Sequence, residues 1–118
     1  MKHPSNREFF AYWDGKRGTA RAPDRSEIEP NAVRGLLGDI FVLSCDADAG
    51  YPFRVAGTRV CALFGRDLKD RSFSALFGRE SRREIEDIVT AVAEEMLPSI
   101  AGLTATAASG TRSHLELL

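Results

Sequence analysis

The sequence has little of the residue types that build most metal and nucleophilic sites. Its 118 residues include two histidines and two cysteines. His3 and His114 stand near opposite ends of the chain, so a histidine-based metal site has little to build on. Ser44 and Cys45, which are adjacent in the sequence, could serve as nucleophiles and His114 as a base, but nothing around these residues has the pattern of a nucleophile with its base. We therefore expect a non-catalytic protein.

Long apolar runs and an excess of one charge are also missing. No segment approaches the ~20 apolar residues that a membrane helix needs. Sixteen Lys and Arg against seventeen Asp and Glu leave a net charge of −1, which gives no field to attract nucleic acid or acidic membranes. Polar residues follow Met1 where a secretory signal would be apolar. We expect a cytoplasmic protein with neither nucleic acid nor membrane as partner, and Cys45 and Cys61 as buried reduced thiols.

What the chain does have is enough apolar content for one core. Hydrophobic residues make up 43% and charged residues 28% of the 118 positions. Two domains of half this length would each bury too little surface to be stable. The totals therefore predict one globular domain.

Aromatic residues concentrate near the start. Four of the ten, Phe9, Phe10, Tyr12 and Trp13, fall within residues 5–14, where Ser5 or Asn6 as cap and Gly15 and Gly18 as stops predict a short helix. So much aromatic area has to be covered by the body of the domain or by a second chain. We take Phe9, Tyr12 and Trp13 as candidate partner-binding residues.

An arginine-rich connector follows at residues 16–25. Pro23 favours an extended backbone there. Arg17, Arg21 and Arg25 recur every four residues, which either reflects an ordinary solvated linker or places guanidinium groups to bind an acidic or phosphorylated partner.

The next segments predict a short helix and a β-hairpin. Pro30 and the apolar residues up to Leu37 indicate a helix that ends at Gly38. The apolar run 40–43 predicts a strand covered on both faces, with the aromatic N-terminal helix as the expected cover on one of them. The Asp- and Gly-rich residues 46–50 predict a tight turn, and the alternation over 51–56 predicts the second strand. The acidic turn lacks the downstream Glu of a calcium loop.

A near-repeat precedes the longest helix. ALFGRD at 62–67 recurs as ALFGRE at 75–80, and we expect two short helices that each pin Leu-Phe to the core and end on a left-handed glycine. Ser81 and Glu84 then have capping-box spacing at the start of a helix that Pro98 stops. Residues 99–109 predict one late strand, and a further strand begins near His114.

The element order predicts an α+β fold, and several segments resemble a known family. They are Tyr12-Trp13, Pro23, Arg25, Pro30, and above all FRVAGT at 53–58 with LFGRDL at 63–68. Over residues 7–118 the chain is similar to a bacterial family of PAS-like regulatory proteins. The resemblance implies an antiparallel sheet of five strands with helices across one face and an N-terminal helical extension.

The resemblance also suggests a domain division and partners. Residues 1–25 would be the N-terminal helix and connector, and residues 26–118 the PAS-like domain, which on this sequence lacks its last strand. Such domains bind small ligands or partner proteins and often dimerise through the extension. We expect a homodimer or a regulatory protein partner.

A core cavity is the place the resemblance gives to a small ligand. Alternation puts Phe53 and Val55 on one face of the hairpin, with Phe41 and Leu43 beside them, and Ile88 and Val92 of the long helix opposite. The alternative for all six is core packing without a ligand. The cofactor stays unknown: the long helix has no His to bind haem, and Cys61 lies in an apolar segment unlike that of a flavin photosensor. Gly35-Leu36-Leu37-Gly38 has the glycine spacing of an RNA-clamping loop, but its leucines favour burial.

The sequence thus favours a sensory or protein-interaction module of bacterial signal transduction. The alternatives are a ligand-free scaffold or dimerisation protein and, from another class, an enzyme that uses the same cavity. The sensory assignment depends on one expectation, that the two early and two late strands form a single curved sheet.

Overall fold

The computed structural model describes residues 2–23, 25–96, 98–106, 110 and 112–118. Its helices and strands, in chain order, are α1 (Pro4–Arg17), β1 (Phe41–Leu43), β2 (Phe53–Ala56), α2 (Thr58–Phe64), α3 (Arg79–Glu95), β3 (Ala101–Thr106) and β4 (Arg112–Leu117), with 3-10 helices at Arg25–Glu27, Pro30–Asp39 and Ser74–Leu76. The predicted α+β class and the N-terminal helix are confirmed.

The chain divides into two compact units. One contains Met1–Arg34 and Pro98–Leu118, and the other contains Gly35–Leu97. Strands β3 and β4 therefore belong to the first unit, and β1 and β2 to the second. The predicted division after residue 25 stays a prediction.

In the first unit, α1 starts earlier and ends later than predicted. The cap is His3, whose Nδ1 accepts a hydrogen bond from the backbone N–H of Ser5 at 3.2 Å, rather than Ser5 or Asn6 as predicted. Gly15 lies inside the helix, and Gly18 ends it with a φ of 55°. The predicted extended connector is therefore helical through Arg17, and Ala20 N–H closes a turn on the Arg17 carbonyl.

The late strands of this unit form a regular antiparallel hairpin. Six consecutive residue pairs link β3 to β4, from Ala101 opposite Leu117 to Thr106 opposite Arg112. A strand was predicted over 99–109, and β3 confirms it for 101–106. Residues 107–109 of that prediction lie outside the described residues.

In the second unit, β1 and β2 form the predicted early hairpin. The turn between them is set by Asp46, whose carbonyl accepts from Tyr51 N–H at 2.9 Å and whose side chain accepts from Ala49 N–H at 3.2 Å. Gly50 and Tyr51 both have positive φ, 75° and 55°, a conformation that glycine adopts freely and tyrosine does not.

A β-bulge interrupts this hairpin. Val42 pairs with Val55, but the next residue, Leu43, pairs with Phe53, so Arg54 is the extra residue. A bulge of this kind turns the residues on its two sides to opposite faces. The predicted shared face of Phe53 and Val55 is therefore wrong: Phe53 is 1% exposed and Val55 is 53% exposed.

Aromatic rings pack around Phe53 to form the core of the second unit. The Phe53 ring lies 5.6 Å from that of Phe41 and 5.7 Å from that of Phe73. Phe73 in turn contacts Phe41 at 5.5 Å and Phe77 at 5.2 Å. These centroid distances and angles are those of favourable edge and offset ring pairs. Tyr51 and Leu68 are also buried.

The two copies of the near-repeat fold differently. Gly65 ends α2 in the left-handed conformation with φ 68°, as predicted, whereas Gly78 has φ −62° and is the N-cap of α3. The second copy is a 3-10 turn rather than a helix that ends on its glycine. In the first copy Leu63 and Phe64 are exposed, so the predicted burial of Leu-Phe is wrong there.

The start of α3 also differs from the prediction. The helix begins at Arg79, which places Ser81 inside its first turn, so Ser81 and Glu84 form no capping box. The helix ends before Pro98, at Glu95, with Met96 in the left-handed conformation. Ile85 is buried, and Tyr51 Oη pairs with Thr90 Oγ1 at 2.5 Å, so α3 packs beside the end of the connection between β1 and β2.

The helix predicted over residues 30–37 is a 3-10 helix that extends to Asp39 and is kinked at Val33. Val33 and Leu36 are buried and Leu37 is exposed. Gly38 is inside the helix rather than its stop. The two thiols also depart from expectation, since Cys45 is exposed and Cys61 is half-buried, both unpaired.

The prediction of a single sheet is wrong. Within the described residues the strands form two separate two-stranded sheets, β1–β2 and β3–β4. The five-stranded sheet that the resemblance implies is thus not present in the described part of the chain. The sensory assignment loses the support that the sequence argument took from that sheet.

Candidate interaction and ligand-binding sites

The side chains of α1 form an aromatic surface bordered by cations. Phe10 and Trp13 stack with ring centroids 5.9 Å apart. The Arg17 guanidinium lies over the Trp13 ring at 5.5 Å, and the Lys16 ammonium lies over the Tyr12 ring at 5.7 Å. Cations at this distance are attracted by the negative faces of the rings.

None of the residues of α1 is fully buried. Phe9, Phe10, Tyr12 and Trp13 are all half-buried, so each ring keeps part of its surface in contact with solvent. The Tyr12 hydroxyl accepts a hydrogen bond from Glu29 N–H at 2.9 Å. The predicted partner-binding aromatics therefore lie on one helix with part of their apolar area uncovered.

The three arginines of the connector lie in three different segments. Arg17 is in the last turn of α1, where it pairs with the Asp14 carboxylate and donates to the Ala20 carbonyl at 3.1 Å. Arg21 is exposed in the bend after the helix, and the Arg25 backbone belongs to the 3-10 turn that follows. Arg17 is already engaged within α1, and the row of guanidinium groups stays a prediction.

The residue that sequence reasoning missed in this unit is Glu116 on β4. Its carboxylate accepts hydrogen bonds from Lys2 N–H at 2.8 Å, His3 N–H at 3.1 Å and the Asn6 side-chain amide at 3.0 Å, and its carbonyl accepts from the same amide at 3.1 Å. The Asn6 bond, followed by the bond from the Lys2 backbone, lowers the pKa of Glu116 from 4.5 to about 2. No sequence signal pairs residues so far apart along the chain.

This lowered pKa predicts an acid-dependent loss of stability. A carboxylate whose pKa falls on folding stabilises the folded state above its unfolded pKa, and that contribution disappears as the pH drops through the folded pKa. We expect the melting temperature of the protein to exceed that of Glu116→Gln by a constant amount above about pH 5 and the difference to vanish near pH 2.

Asn6→Ala tests the cause of this effect. It removes the main donor and should move the loss of stability toward the ordinary titration range of a carboxyl group. Melting curves recorded by circular dichroism across this pH range measure both effects. A difference between protein and Glu116→Gln that stays the same down to pH 2 would contradict the assignment.

The six predicted ligand-binding residues are only partly brought together. Phe41 and Phe53 touch, and Leu43 pairs with Phe53 across the hairpin. Val55 faces away because of the bulge, and on α3 Ile88 is half-buried while Val92 is 39% exposed. Aromatic rings pack the space next to Phe53, and two of these rings, Phe73 and Phe77, were not among the predicted residues.

Metal-binding groups and membrane-spanning helices were also sought among the described residues. Within residues 2–23, 25–96 and the other described segments, no group of three His, Cys, Asp or Glu side chains is placed to hold a metal ion. No helix in the described part of the chain is both long and apolar enough to cross a bilayer.

The described part of the chain is an α+β structure with an aromatic core and half-buried aromatic side chains on α1. The profile of the PAS domain family matches residues 1–118, the whole chain. The chain therefore belongs to the PAS domain family. Searches of curated proteins and of solved structures gave no match.

Membership of the family indicates the functional class of the protein, which the two separate sheets do not indicate. PAS domains are in general sensory or interaction modules without catalysis of their own. The class of the protein thus rests on the match over all 118 residues, and no longer on the geometry of a single sheet.

Proposed function

We propose that this chain is a non-catalytic interaction module of bacterial signal transduction, which acts in the cytoplasm and pairs with a second copy of itself through α1. The partly uncovered aromatic surface of α1 carries this proposal. Trp and Tyr are among the residue types that contribute most to binding at protein interfaces. The two unpaired thiols support a reducing compartment, and the net charge of −1 favours a protein partner over nucleic acid.

The partner that we favour for α1 is a second copy of the chain, because the helix carries both acidic and basic side chains next to its aromatic residues. Arg7 and Glu8 are exposed near its start, and Lys16 lies near its end. Two antiparallel copies of such a helix would set Glu8 of one copy near Lys16 of the other. A regulatory protein with an acidic, apolar surface is the second candidate partner.

The aromatic side chains give the first test. Replacing both Phe9 and Trp13 with alanine should weaken self-association by about 30-fold or more, because truncation of a central Trp costs 2 kcal/mol or more at many interfaces. Size-exclusion chromatography with light scattering should shift from twice 12.9 kDa to 12.9 kDa at equal concentration.

A matched control is available on α2. Leu63 and Phe64 are exposed there by 44% and 38%, so their replacement with alanine removes a similar apolar area from another helix. This double variant should associate like the unaltered chain. Equal loss of association in both variants would contradict a specific role of α1.

A small ligand in the core is the second candidate function. The grouping of Phe41, Leu43 and Phe53 favours an apolar ligand beside the early hairpin, with Ile88 and Val92 as further candidates. The alternative, a ligand-free scaffold, is favoured by the close ring contacts that already pack Phe53. Native mass spectrometry of the purified chain separates the two, because a retained small molecule adds a fixed mass and a scaffold shows the protein mass alone.

A further inference from the structure

The N-terminal end of α1 is held by one side chain of strand β4. The Glu116 carboxylate accepts from Lys2 N–H at 2.8 Å, from His3 N–H at 3.1 Å and from the Asn6 amide at 3.0 Å. Hydrogen bonds to an ionised carboxylate are roughly twice as strong as neutral ones. Three such bonds converge on one residue within the first unit.

Glu116 is well placed to act as a fixed anchor. It stands opposite Gly102 in the regular six-pair register between β3 and β4, so the strand that carries it is held by backbone pairing. Helix α1, in contrast, has no fully buried side chain. The helix therefore depends more on individual polar contacts than a helix with a buried apolar stripe would.

The hydrogen bonds that hold α1 lie at two positions along the helix, its start and its second half. Lys2 and His3 precede the helix and Asn6 is in its first turn, whereas the second half is tied to the chain by the bond from Glu29 N–H to the Tyr12 hydroxyl. A change at Glu116 should thus free the start of the helix first.

We infer that Glu116 is a latch that decides whether the start of α1 stays attached to strand β4. The helix is released when the carboxylate is removed or loses its donors. The consequence for association rests on the proposed function of α1 as the partner-binding helix; the latch itself does not.

Hydrogen–deuterium exchange of the full chain tests the latch. In Glu116→Ala the amides of α1 should exchange at least about tenfold faster than in the unaltered chain, as expected for loss of charge-assisted hydrogen bonds. Asn6→Ala should have a smaller effect in the same direction. Glu94→Gln, which removes the same charge from an exposed position of α3, should leave exchange in α1 unchanged.

The amides of β1 and β2 serve as an internal measure of folding, because they belong to the other unit. Faster exchange in α1 with unchanged exchange in β1–β2 supports the latch. Unchanged exchange in α1 of Glu116→Ala, or an equal rise in both regions, would overturn it. Molecular mass measured on the same samples separates the two ideas: a released α1 with unchanged association refutes the role of α1 in pairing and leaves the latch intact.

Discussion

Phe53→Ala is expected to lower the free energy of unfolding by about 3–5 kcal/mol, the usual loss for a buried phenylalanine. Phe53 is 1% exposed, and its ring contacts those of Phe41 and Phe73. Alanine would remove both contacts and leave a cavity that the neighbouring rings fill only in part. The total free energy of unfolding of a small domain is about 5–15 kcal/mol. Chemical denaturation should therefore show a large drop in the denaturant concentration at the midpoint of unfolding.

Val55 on the same strand provides the control. It is 53% exposed on the opposite face, so Val55→Ala should change the free energy of unfolding by no more than about 0.5 kcal/mol, as for most surface positions. Similar losses at the two positions would show that the bulge at Arg54 does not orient the strand as described.

Gly57→Ala is expected to have the second-largest effect. A Cβ at this position would lie 2.3 Å from the Gly38 carbonyl oxygen and 2.4 Å from that of Leu37. Both are backbone atoms, so the 3-10 helix or the start of α2 would have to move. Overpacking of this kind costs typically 1–3 kcal/mol and occasionally more.

Gly78 is a closely matched control for this substitution. It is the N-cap of α3 with φ −62° and ψ 159°, and Gly57 is the N-cap of α2 with φ −64° and ψ 158°. A Cβ at Gly78 meets nothing within 4 Å. Both alanine variants change the cap in the same way, so the additional loss in Gly57→Ala, measured by denaturant titration, isolates the clash. Equal losses would contradict the close approach of the two backbones.

Local patterns in the sequence were enough to predict most elements. Apolar runs, glycines and aspartates marked the early hairpin, α2, α3 and the late strands, because these signals act within a few residues of the chain. The aromatic cluster of Phe9 to Trp13 likewise marked α1. Family resemblance added the class of the protein, which the match to the whole chain confirmed.

What the sequence did not predict depends on neighbours far along the chain. Leu-Phe-Gly-Arg occurs at 63–66 and again at 76–79, yet Gly65 ends one helix and Gly78 begins another. The bulge at Arg54 leaves no trace in the alternation of apolar residues, so the orientation of Val55 was predicted wrongly. Each of the two sheets is a hairpin of strands that are neighbours in the sequence, whereas the predicted single sheet needed pairing between strands far apart along the chain, which no local pattern specifies.

The candidate sites also contain residues whose role depends on contacts far along the chain and could not be predicted from local patterns. Phe73 stands between two serines, so no apolar period marked it as a core residue, although its ring contacts Phe41, Phe53 and Phe77. Glu116 reads as an ordinary strand residue until the fold brings the start of α1 to it. The proposed role of the aromatic residues of α1 came from composition and stays a prediction.

The mass of the unaltered chain in solution, measured by sedimentation over a wide concentration range, is the test of pairing through α1. We expect a reversible two-chain species, twice 12.9 kDa, that dissociates on dilution. A mass of one chain at every concentration would contradict pairing through α1.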